Sequence, residues 1–464
     1  MEQNKVSVCG LKDVYEVDDG IDRISALPDS VLCHVLSYLP TKYAIATSIL
    51  STRWKTLFPS ILNVVDIDFD DSLTMAIDNE VEQVNSLLIR FCNRVFGFHL
   101  RDVKRINSFR LLLSDCISGI SFTYITKWIS SALHLNVKKL EVVLDYYHVQ
   151  YDIPDIIFTC KTLEVVVLVG GWQLKTPPLV ELPRLRVLQL VNEPLVYNQS
   201  ISSSILKGCP ELEELILNSL MISDSTLEIS LPKLRRLEIK ECNNNYDRGF
   251  GVVLDAPALE CLLLDDYLAL DYSVKYMDSI HHVQVNILVR PTESVSVKNV
   301  MKLFHKFSHV KLLTLSTSTM EILAKSRLPL PTFDNLIHVN LGVVHTPFLV
   351  ELLNKMPKLE VLVLLKGVDG DLESDLQENS TACVSLNLKE IRISDSNRKC
   401  NAIKALKYFH KAGAELKKIV IGSSASNADQ LCIKEELLAV KGCLETCEIV
   451  IVTDKMFSSK FCSL

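Results

Sequence analysis

A short leucine motif recurs along most of this 464-residue chain at intervals typical of solenoid repeats. The motif is L-x-x-L-x-L with β-branched substitutions, and successive copies begin about 21 to about 31 residues apart. The most similar copies are LPRLRVLQL, CPELEELIL, LPKLRRLEI, APALECLLL and MPKLEVLVL. The copies begin at Ile106, Val137, Leu163, Leu185, Leu212, Leu234, Leu259, Ile280, Val310, Leu336, Leu359, Leu388, Leu416 and Leu444.

The recurring motif constrains the fold because one copy cannot bury its own leucines. Stacked copies bury them in a continuous core, so the pattern predicts an α/β solenoid. Short parallel strands are expected to line a concave face, with helices and loops on the convex face. The first, fourth and sixth residues of each copy then point into the core. The third, fifth and seventh residues point onto the concave face.

Four successive copies predict a strip of side chains on the concave face that begins apolar and becomes charged. Its members are Val165, Val167, Val169, Val187, Gln189, Val191, Glu214, Ile216, Asn218, Arg236, Glu238 and Lys240. A contiguous apolar strip indicates a partner site. The predicted contact residues for the recognised partner are Val165, Val167, Val187, Gln189, Glu214 and Arg236. The alternative is that a loop or the C-terminal region covers the strip.

The segment from Ile21 to Leu62 predicts three short helices ahead of the repeats. The Leu27-Pro28-Asp29 sequence begins the first helix, Pro40 ends it, and Ser51 caps the third. The first helix has an apolar arc of about 180°, wider than the stripe of an ordinary surface helix. A unit of this size buries too little surface to be stable alone. We therefore expect a docking module, covered on one side by its own chain and on the other by a second protein.

This segment resembles the F-box of plant F-box proteins. The matching residues are Leu27, Pro28, Leu32, Leu39, Pro40, Thr47, Ser48, Leu50, Ser51, Arg53, Trp54 and Lys55. Ser30 and Tyr43 depart from the usual pattern, although neither is an obligatory apolar position. The resemblance implies binding to the Skp-type adaptor of a cullin-RING ubiquitin ligase. The alternative is a plain three-helix cap on the following domain.

The residues expected to bind this adaptor are the apolar residues of the first helix together with two later ones. They are Leu27, Pro28, Val31, Leu32, Val35, Leu36, Leu39, Ile49 and Trp54.

The whole chain resembles plant F-box/leucine-rich-repeat proteins that end in an FBD region. The Asn or Cys of the regular repeat consensus is mostly missing, so an irregular solenoid is expected. The C-terminal region looks like further repeat-like units with longer helices that close the open end of the solenoid. The predicted units are a mobile tail at 1–20, the F-box at 21–62, the leucine-rich-repeat solenoid at 63–380, the FBD-like region at 381–452 and a loose tail at 453–464.

Composition excludes several classes of function. The net charge of −7 argues against a nucleic-acid partner held by phosphate contacts. No apolar run is long enough for a transmembrane helix, and no signal-peptide core is visible, so no membrane contact is expected. The fourteen cysteines are expected to be free thiols in a reducing compartment, cytoplasmic and/or nuclear.

No motif for catalysis, a cofactor or a metal is present. Glycine-rich phosphate loops and nucleophile elbows are both missing from the sequence. His305 and His309 have the spacing of metal ligands on a helix but no third ligand nearby, so a helix with one buried face is the better interpretation. The sequence therefore predicts a non-enzymatic substrate receptor of a ubiquitin ligase. The alternative is a protein-binding scaffold that does not lead to degradation, and the target itself cannot be read from the sequence.

Overall fold

The computed structural model describes parts of the chain from residue 24 to residue 457. The described residues are 24–39, 41–61, 64–69, 81–101, 103–113, 120–144, 151–173, 177–192, 200–201, 203–222, 226–240, 251–266, 271–287, 297–326, 328–366, 368–369, 387–394, 409, 416–423, 447–453 and 457. The predicted mobile tail at 1–20 lies outside these ranges.

The N-terminal unit contains the three helices that the sequence predicts. Pro28 has an extended backbone and stands just before the first helix, so its missing N–H leaves no helical hydrogen bond unmade. The hydroxyl of Ser51 accepts a hydrogen bond from the Trp54 backbone N–H at 3.4 Å, as expected of a helix cap. The helices are α1 (Asp29–Ser37), α2 (Thr41–Ala46) and α3 (Thr52–Ile61), with a 3-10 turn at Thr47–Ile49.

The remaining helices are short and follow or precede strands of the solenoid. They are α4 (Val81–Arg94), continued by a π-helical turn at Val95–His99, α5 (Phe122–His134), α6 (Ser203–Lys207), α7 (Val297–Lys306), α8 (Thr317–Ser326) and α9 (Thr346–Leu353), with a 3-10 turn at Asp155–Thr159.

Fifteen strands of the described chain form one sheet, in which every neighbouring pair is parallel. In spatial order they are β1 (Val64–Phe69), β2 (Ser108–Leu113), β3 (Lys139–Leu144), β5 (Val165–Gly170), β7 (Val187–Val191), β9 (Glu214–Asn218), β12 (Arg236–Lys240), β14 (Cys261–Asp266), β16 (His282–Ile287), β17 (Leu312–Leu315), β18 (His338–Leu341), β20 (Val361–Leu364), β22 (Glu390–Ser394), β23 (Lys418–Ser423) and β24 (Glu448–Thr453).

Smaller parallel sheets lie beside the main one. They are formed by β4 (Tyr151–Asp152) with β6 (Trp172–Gln173), β8 (Ser200–Ile201) with β10 (Met221–Ile222), β11 (Thr226–Ser230) with β13 (Gly251–Asp255) and β15 (Asp271–Val274), and β19 (Val344–His345) with β21 (Val368–Asp369).

Register along the main sheet follows the leucine motif, which confirms the predicted solenoid. The third residues of successive copies lie opposite one another, as Val187 lies between Val165 and Glu214. Burial alternates along β7, so Leu188 and Leu190 are in the core while Gln189 between them is half-buried. In β18 and β20 the fifth-position residues, Asn340 and Val363, are buried as well. Only the last copy differs in register. A start at Leu444 predicts that Thr446 lies opposite Lys418, but Glu448 occupies that place, two residues later. A shift of two keeps every side chain on its expected face.

The sheet is longer than the leucine motif alone indicates. It begins at β1, about forty residues before the first recognised copy of the motif, and it continues through β22, β23 and β24 without a break in pairing. The C-terminal region is therefore an extension of the solenoid. Phe457, which lies in the segment predicted as a loose tail, is fully buried.

A ladder of alternating charges runs along the edge of the sheet at the second position of the motif. Its ion pairs join successive copies, and their side chains are largely exposed, so each contributes little stability alone. Because opposite charges favour one neighbour over another, the ladder supports the order of stacking. The pairs are Lys138–Glu164 at 2.6 Å, Arg186–Glu213 at 2.8 Å, Arg235–Glu260 at 2.8 Å and Lys389–Glu360 at 2.7 Å.

The core prediction is testable within one copy of the motif. Leu188→Ala removes a buried side chain and should lower the free energy of unfolding by about 2 to 5 kcal/mol. Gln189→Ala is the matched control, because its side chain lies on the opposite face and should change that free energy by no more than about 0.5 kcal/mol. Urea unfolding followed by circular dichroism measures both, and equal effects would contradict the assigned faces.

Candidate partner-binding surfaces

The N-terminal unit exposes an unusual amount of apolar surface along α1 and just after α2. Val31 and Val35 are 41% and 47% exposed, and Ile49 is 88% exposed. Val31, Val35 and Leu39 recur every four residues, which places them along one side of the helix and its C-terminal extension. Exposed apolar groups clustered in this way mark a surface that a partner covers.

The opposite side of the same unit is buried in the chain's own core. Leu32 and Leu36 of α1 pack with Trp54 of α3 in the cluster that also contains the leucines of the solenoid. Helix α2 contacts β1, the first strand of the main sheet. This arrangement confirms that the module is covered on one side by its own chain.

Arg53 of α3 holds the start of α1 in place. Its guanidinium donates hydrogen bonds to the Asp29 carboxylate at 2.6 and 2.8 Å, and to the carbonyl oxygens of Ser25 and Leu27 at 2.6 and 2.5 Å. A planar fork of donors can satisfy several acceptors at fixed angles, which an ammonium group cannot do. The Leu27-Pro28 segment is thereby fixed against α3.

A second surface lies on the concave face, which we define as the side of the main sheet that carries third, fifth and seventh motif positions. Val165, Val167 and Val187 are half-buried neighbours there. Gln189 continues the strip and lies 3.5 Å from the Glu214 carboxylate. The three valines form the apolar part of the predicted strip, and Gln189 begins its polar part.

Ion pairs flank the valine strip on both sides. On one side Glu141 accepts from Lys139 at 2.9 Å and from Arg110 at 3.2 Å. Burial acts to raise the pKa of Glu141, but its hydrogen bonds and the charges of Lys139 and Arg110 outweigh this and lower it. On the other side Arg236 lies 3.0 Å from Glu238. The apolar strip therefore lies between two groups of charged side chains, and in each group acidic and basic side chains form ion pairs with one another.

Cys261 and His282 lie side by side at the centre of the concave face. The thiol sulfur is 3.4 Å from His282 Nδ1. Burial raises the pKa of Cys261 and lowers the pKa of His282, so both groups are neutral near pH 7. A neutral thiol is a poor nucleophile, and this pair has the properties of a packing contact rather than a catalytic dyad.

The described residues contain no group of three or more side chains suited to a metal ion. His309, which the sequence places on a helix with His305, lies beyond the end of α7, and its Nε2 is 3.1 Å from the Met277 carbonyl oxygen. The opposite side of α7 is buried through Val300 and Phe304, as predicted. No helix in the described ranges is long and apolar enough to cross a membrane.

Sequence comparison identifies known families in two parts of the chain. The F-box domain family matches residues 24–63, and the family described as FBD-associated F-box protein At5g56370, LRR repeats, matches residues 125–289. The Arabidopsis thaliana F-box/LRR-repeat protein At4g14103 is 30% identical over 362 residues, which cover 74% of this chain and 91% of that protein. The chain belongs to the F-box/leucine-rich-repeat family.

Two further relatives align over almost the full length of this F-box/leucine-rich-repeat protein. The Arabidopsis thaliana F-box/LRR-repeat protein At2g42730 is 28% identical over 457 residues, covering 92% of this chain and 97% of the relative. The F-box/FBD/LRR-repeat protein At5g22660 from the same plant is 29% identical over 456 residues, covering 93% and 97%. Proteins of this family are typically non-catalytic adaptors.

The structure divides the nine residues predicted to bind the adaptor of this F-box protein into two groups. Pro28, Val31, Val35, Leu39 and Ile49 are exposed, and Leu27 is half-buried. Leu32, Leu36 and Trp54 are buried, so they have no surface to offer a partner and instead support the exposed group. The six predicted target contacts, Val165, Val167, Val187, Gln189, Glu214 and Arg236, all lie half-buried on the concave face.

Sequence reasoning did not single out some residues of these surfaces. Tyr38 and Leu50 are exposed beside the predicted adaptor contacts, and their adjacency to Leu39 and Ile49 was the available signal. Arg53 was identified only as a residue of the F-box pattern, because its three acceptor atoms lie more than twenty residues earlier in the chain.

The role of Arg53 in the F-box can be tested by Arg53→Lys, which keeps the charge but loses the fork of donors. We expect loss of about 1 to 2 kcal/mol of local stability, because hydrogen bonds to charged groups contribute about 1.5 to 3 kcal/mol and the exposure of Arg53 and Asp29 reduces that value. Amide exchange in residues 24–30 should then accelerate by a factor of about 5 to 30. Lys55→Ala, at a neighbouring exposed cation, is the control, and equal exchange in both variants would contradict the assigned role.

Proposed function

We propose that this protein is the substrate-recognition subunit of an SCF-type (Skp-cullin-F-box) E3 ubiquitin ligase. The F-box docks the Skp-type adaptor, which connects to cullin and RING subunits, and the solenoid binds the target protein. The observation that carries the proposal is the division of the F-box into an exposed apolar side and a side buried in the solenoid core. The target is then held near a separate enzyme that transfers ubiquitin.

The exposed side of α1 has the properties of a protein interface. Val31, Val35 and Leu39 present apolar side chains that a folded protein does not leave in water without a partner. Buried Leu32 and Leu36 on the other side fix the rotation of the helix. The surface is therefore preorganised, which lowers the entropic penalty of binding.

The shared core also supports the role of the solenoid. The buried residues of the F-box and of the repeats form one cluster, so the F-box packs directly against the first strands. A target on the concave face would be held at a fixed distance from the adaptor. Proximity of this kind raises the effective concentration of target for the transferring enzyme.

The same proposal places the protein in the cytoplasm and/or the nucleus. Six cysteines of the described chain are unbonded, and Cys92 and Cys209 among them are buried. Burial raises the pKa of Cys209 to about 12, so this thiol stays protonated. Protonated, unpaired thiols suit a reducing compartment, where ubiquitin ligases of this kind act.

Adaptor binding is tested by the double variant Val31→Asp and Val35→Asp in the full chain. Two carboxylates on the exposed side of α1 should lower affinity for a purified Skp-type adaptor by about a hundredfold or more, because desolvated apolar contacts carry most binding energy. Thermal melting should change little, since both positions are exposed. Calorimetric titration measures the affinity.

Leu179→Asp is the matched control for adaptor binding, because Leu179 is 53% exposed but lies in the solenoid. It should leave adaptor affinity unchanged. Unchanged affinity in the double variant would refute the F-box role. Retained adaptor binding without ubiquitin transfer to co-purifying proteins, after reconstitution with cullin and RING subunits, would instead support a scaffold that does not lead to degradation.

Target binding is tested by Val167→Asp combined with Val187→Asp on the open part of the concave face. We expect this variant to fold, to bind the adaptor normally and to lose the proteins that the wild type captures in affinity purification. Both side chains are half-buried on the face opposite the core, so each substitution should cost much less than the ~2 to 5 kcal/mol expected for a core leucine. Unfolding would show that the strip is buried by the chain, and retained capture would place recognition elsewhere.

A further inference from the structure

The far end of the concave face is covered by the side chain of Phe457. Phe457, four residues after the end of β24, packs with Val363 of β20 and Val420 of β23. All three side chains are almost completely buried. Both valines occupy fifth positions of the leucine motif, so Phe457 lies on the concave face and not in the core of the solenoid.

Gly422 provides the space that the aromatic ring occupies. It stands at the seventh motif position of β23, where a Cβ atom would lie 2.8 Å from Cγ and 2.9 Å from Cδ2 of Phe457. Any other residue at this position would displace the ring. The four successive copies from β5 to β12 carry side chains at the equivalent position, which are Val169, Val191, Asn218 and Lys240.

The cluster around Phe457 is separate from the main core. Val363, Val420 and Phe457 form their own group, supported by half-buried Val361, Leu365, Val450 and Val452. The leucines on the other face of the same strands belong to the continuous core that runs through the whole solenoid. Departure of Phe457 would therefore uncover the cluster without opening that core.

From β3 to β12 the same face carries fifth-position side chains that stay half-buried, which are Glu141, Val167, Gln189, Ile216 and Glu238. Leu263 of β14 and Asn340 of β18 are buried at the same position, so the exposure of this face varies along the sheet. A single aromatic side chain, Phe457, that fills an apolar notch on this face has the geometry of a ligand tethered to its own receptor. A tether supplies an effective concentration of roughly millimolar, so even a weak aromatic contact keeps the notch occupied.

We propose that this notch is an exchangeable docking site for an aromatic side chain, occupied in the free protein by Phe457. The competing ligand is a segment of the target protein that presents a Phe, Tyr or Trp to the Val363, Val420 and Gly422 surface. Only the identification of the competitor as the target rests on the proposed function. The site and its occupation by Phe457 stand without it.

The test uses full-length protein and a fluorescein-labelled peptide of residues 453–464 carrying Cys462→Ser. The Phe457→Ala protein, whose notch is empty, should bind this peptide at least tenfold more tightly than the wild type, where Phe457 competes. A peptide that carries both Phe457→Ala and Phe461→Ala should bind neither protein. Fluorescence anisotropy gives the affinities, and thermal melting of the main transition should be nearly the same for both proteins.

Gly422→Val provides an independent variant. Valine suits a strand and its methyl groups fill the notch, so this protein should stay folded. It should bind the peptide weakly whether or not it also carries Phe457→Ala, and amide exchange near residue 457 should accelerate while exchange in β20 and β23 stays slow. Gly97→Ala is the control, because a Cβ atom at this position would have no other atom within 4 Å.

Two results would overturn the proposal. If Phe457→Ala unfolds the solenoid, Phe457 is an integral part of the fold and not an exchangeable ligand. If the Phe457→Ala protein is folded but does not bind the peptide, the notch is not a docking site. Neither result involves the adaptor, so failure here is distinct from failure of the F-box titration.

Discussion

Burial of one face of a long parallel sheet is the constraint on which the rest of this structure depends. Each copy of the motif must place its first, fourth and sixth residues in the core. Side-chain alternation then assigns its third, fifth and seventh residues to the concave face. Leu185 and Leu188 therefore determine where Val187 and Gln189 lie, although the latter two contribute little to the core. The composition of the concave face, where we propose that the target binds, is therefore determined by which residues are buried in the core.

This dependence explains why so much of the fold is visible in the sequence. The leucine motif predicts each strand of the main sheet from β2 to β23 in its observed register, because a slip of one residue would expose the core leucines. The strands of the smaller sheets do not carry the motif and were not predicted. Strand β1 and the position of β24 were harder to place. Neither carries the full motif, and their pairing is fixed by the neighbouring strand rather than by their own residues.

The parts that sequence could not supply are contacts between distant residues. Arg53 reaches Asp29 across two helices, and Phe457 reaches Gly422 from the chain terminus. Neither contact is predicted by a local sequence pattern, because the contacting residues are distant in the chain and come together only when the helices and strands have packed. A single glycine in a strand was the one available signal for close approach by another group.

The shared core gives the F-box a role beyond carrying an adaptor site. A unit of about 40 residues is too small to be stable alone, so its helices depend on the solenoid for burial. Trp54 and Leu57 pack in the same cluster as the leucines of the repeats, while α2 contacts β1. Stability of the F-box and orientation of the solenoid are therefore set by the same contacts. A change that loosened those contacts would weaken adaptor binding and target positioning together, even if it touched neither surface.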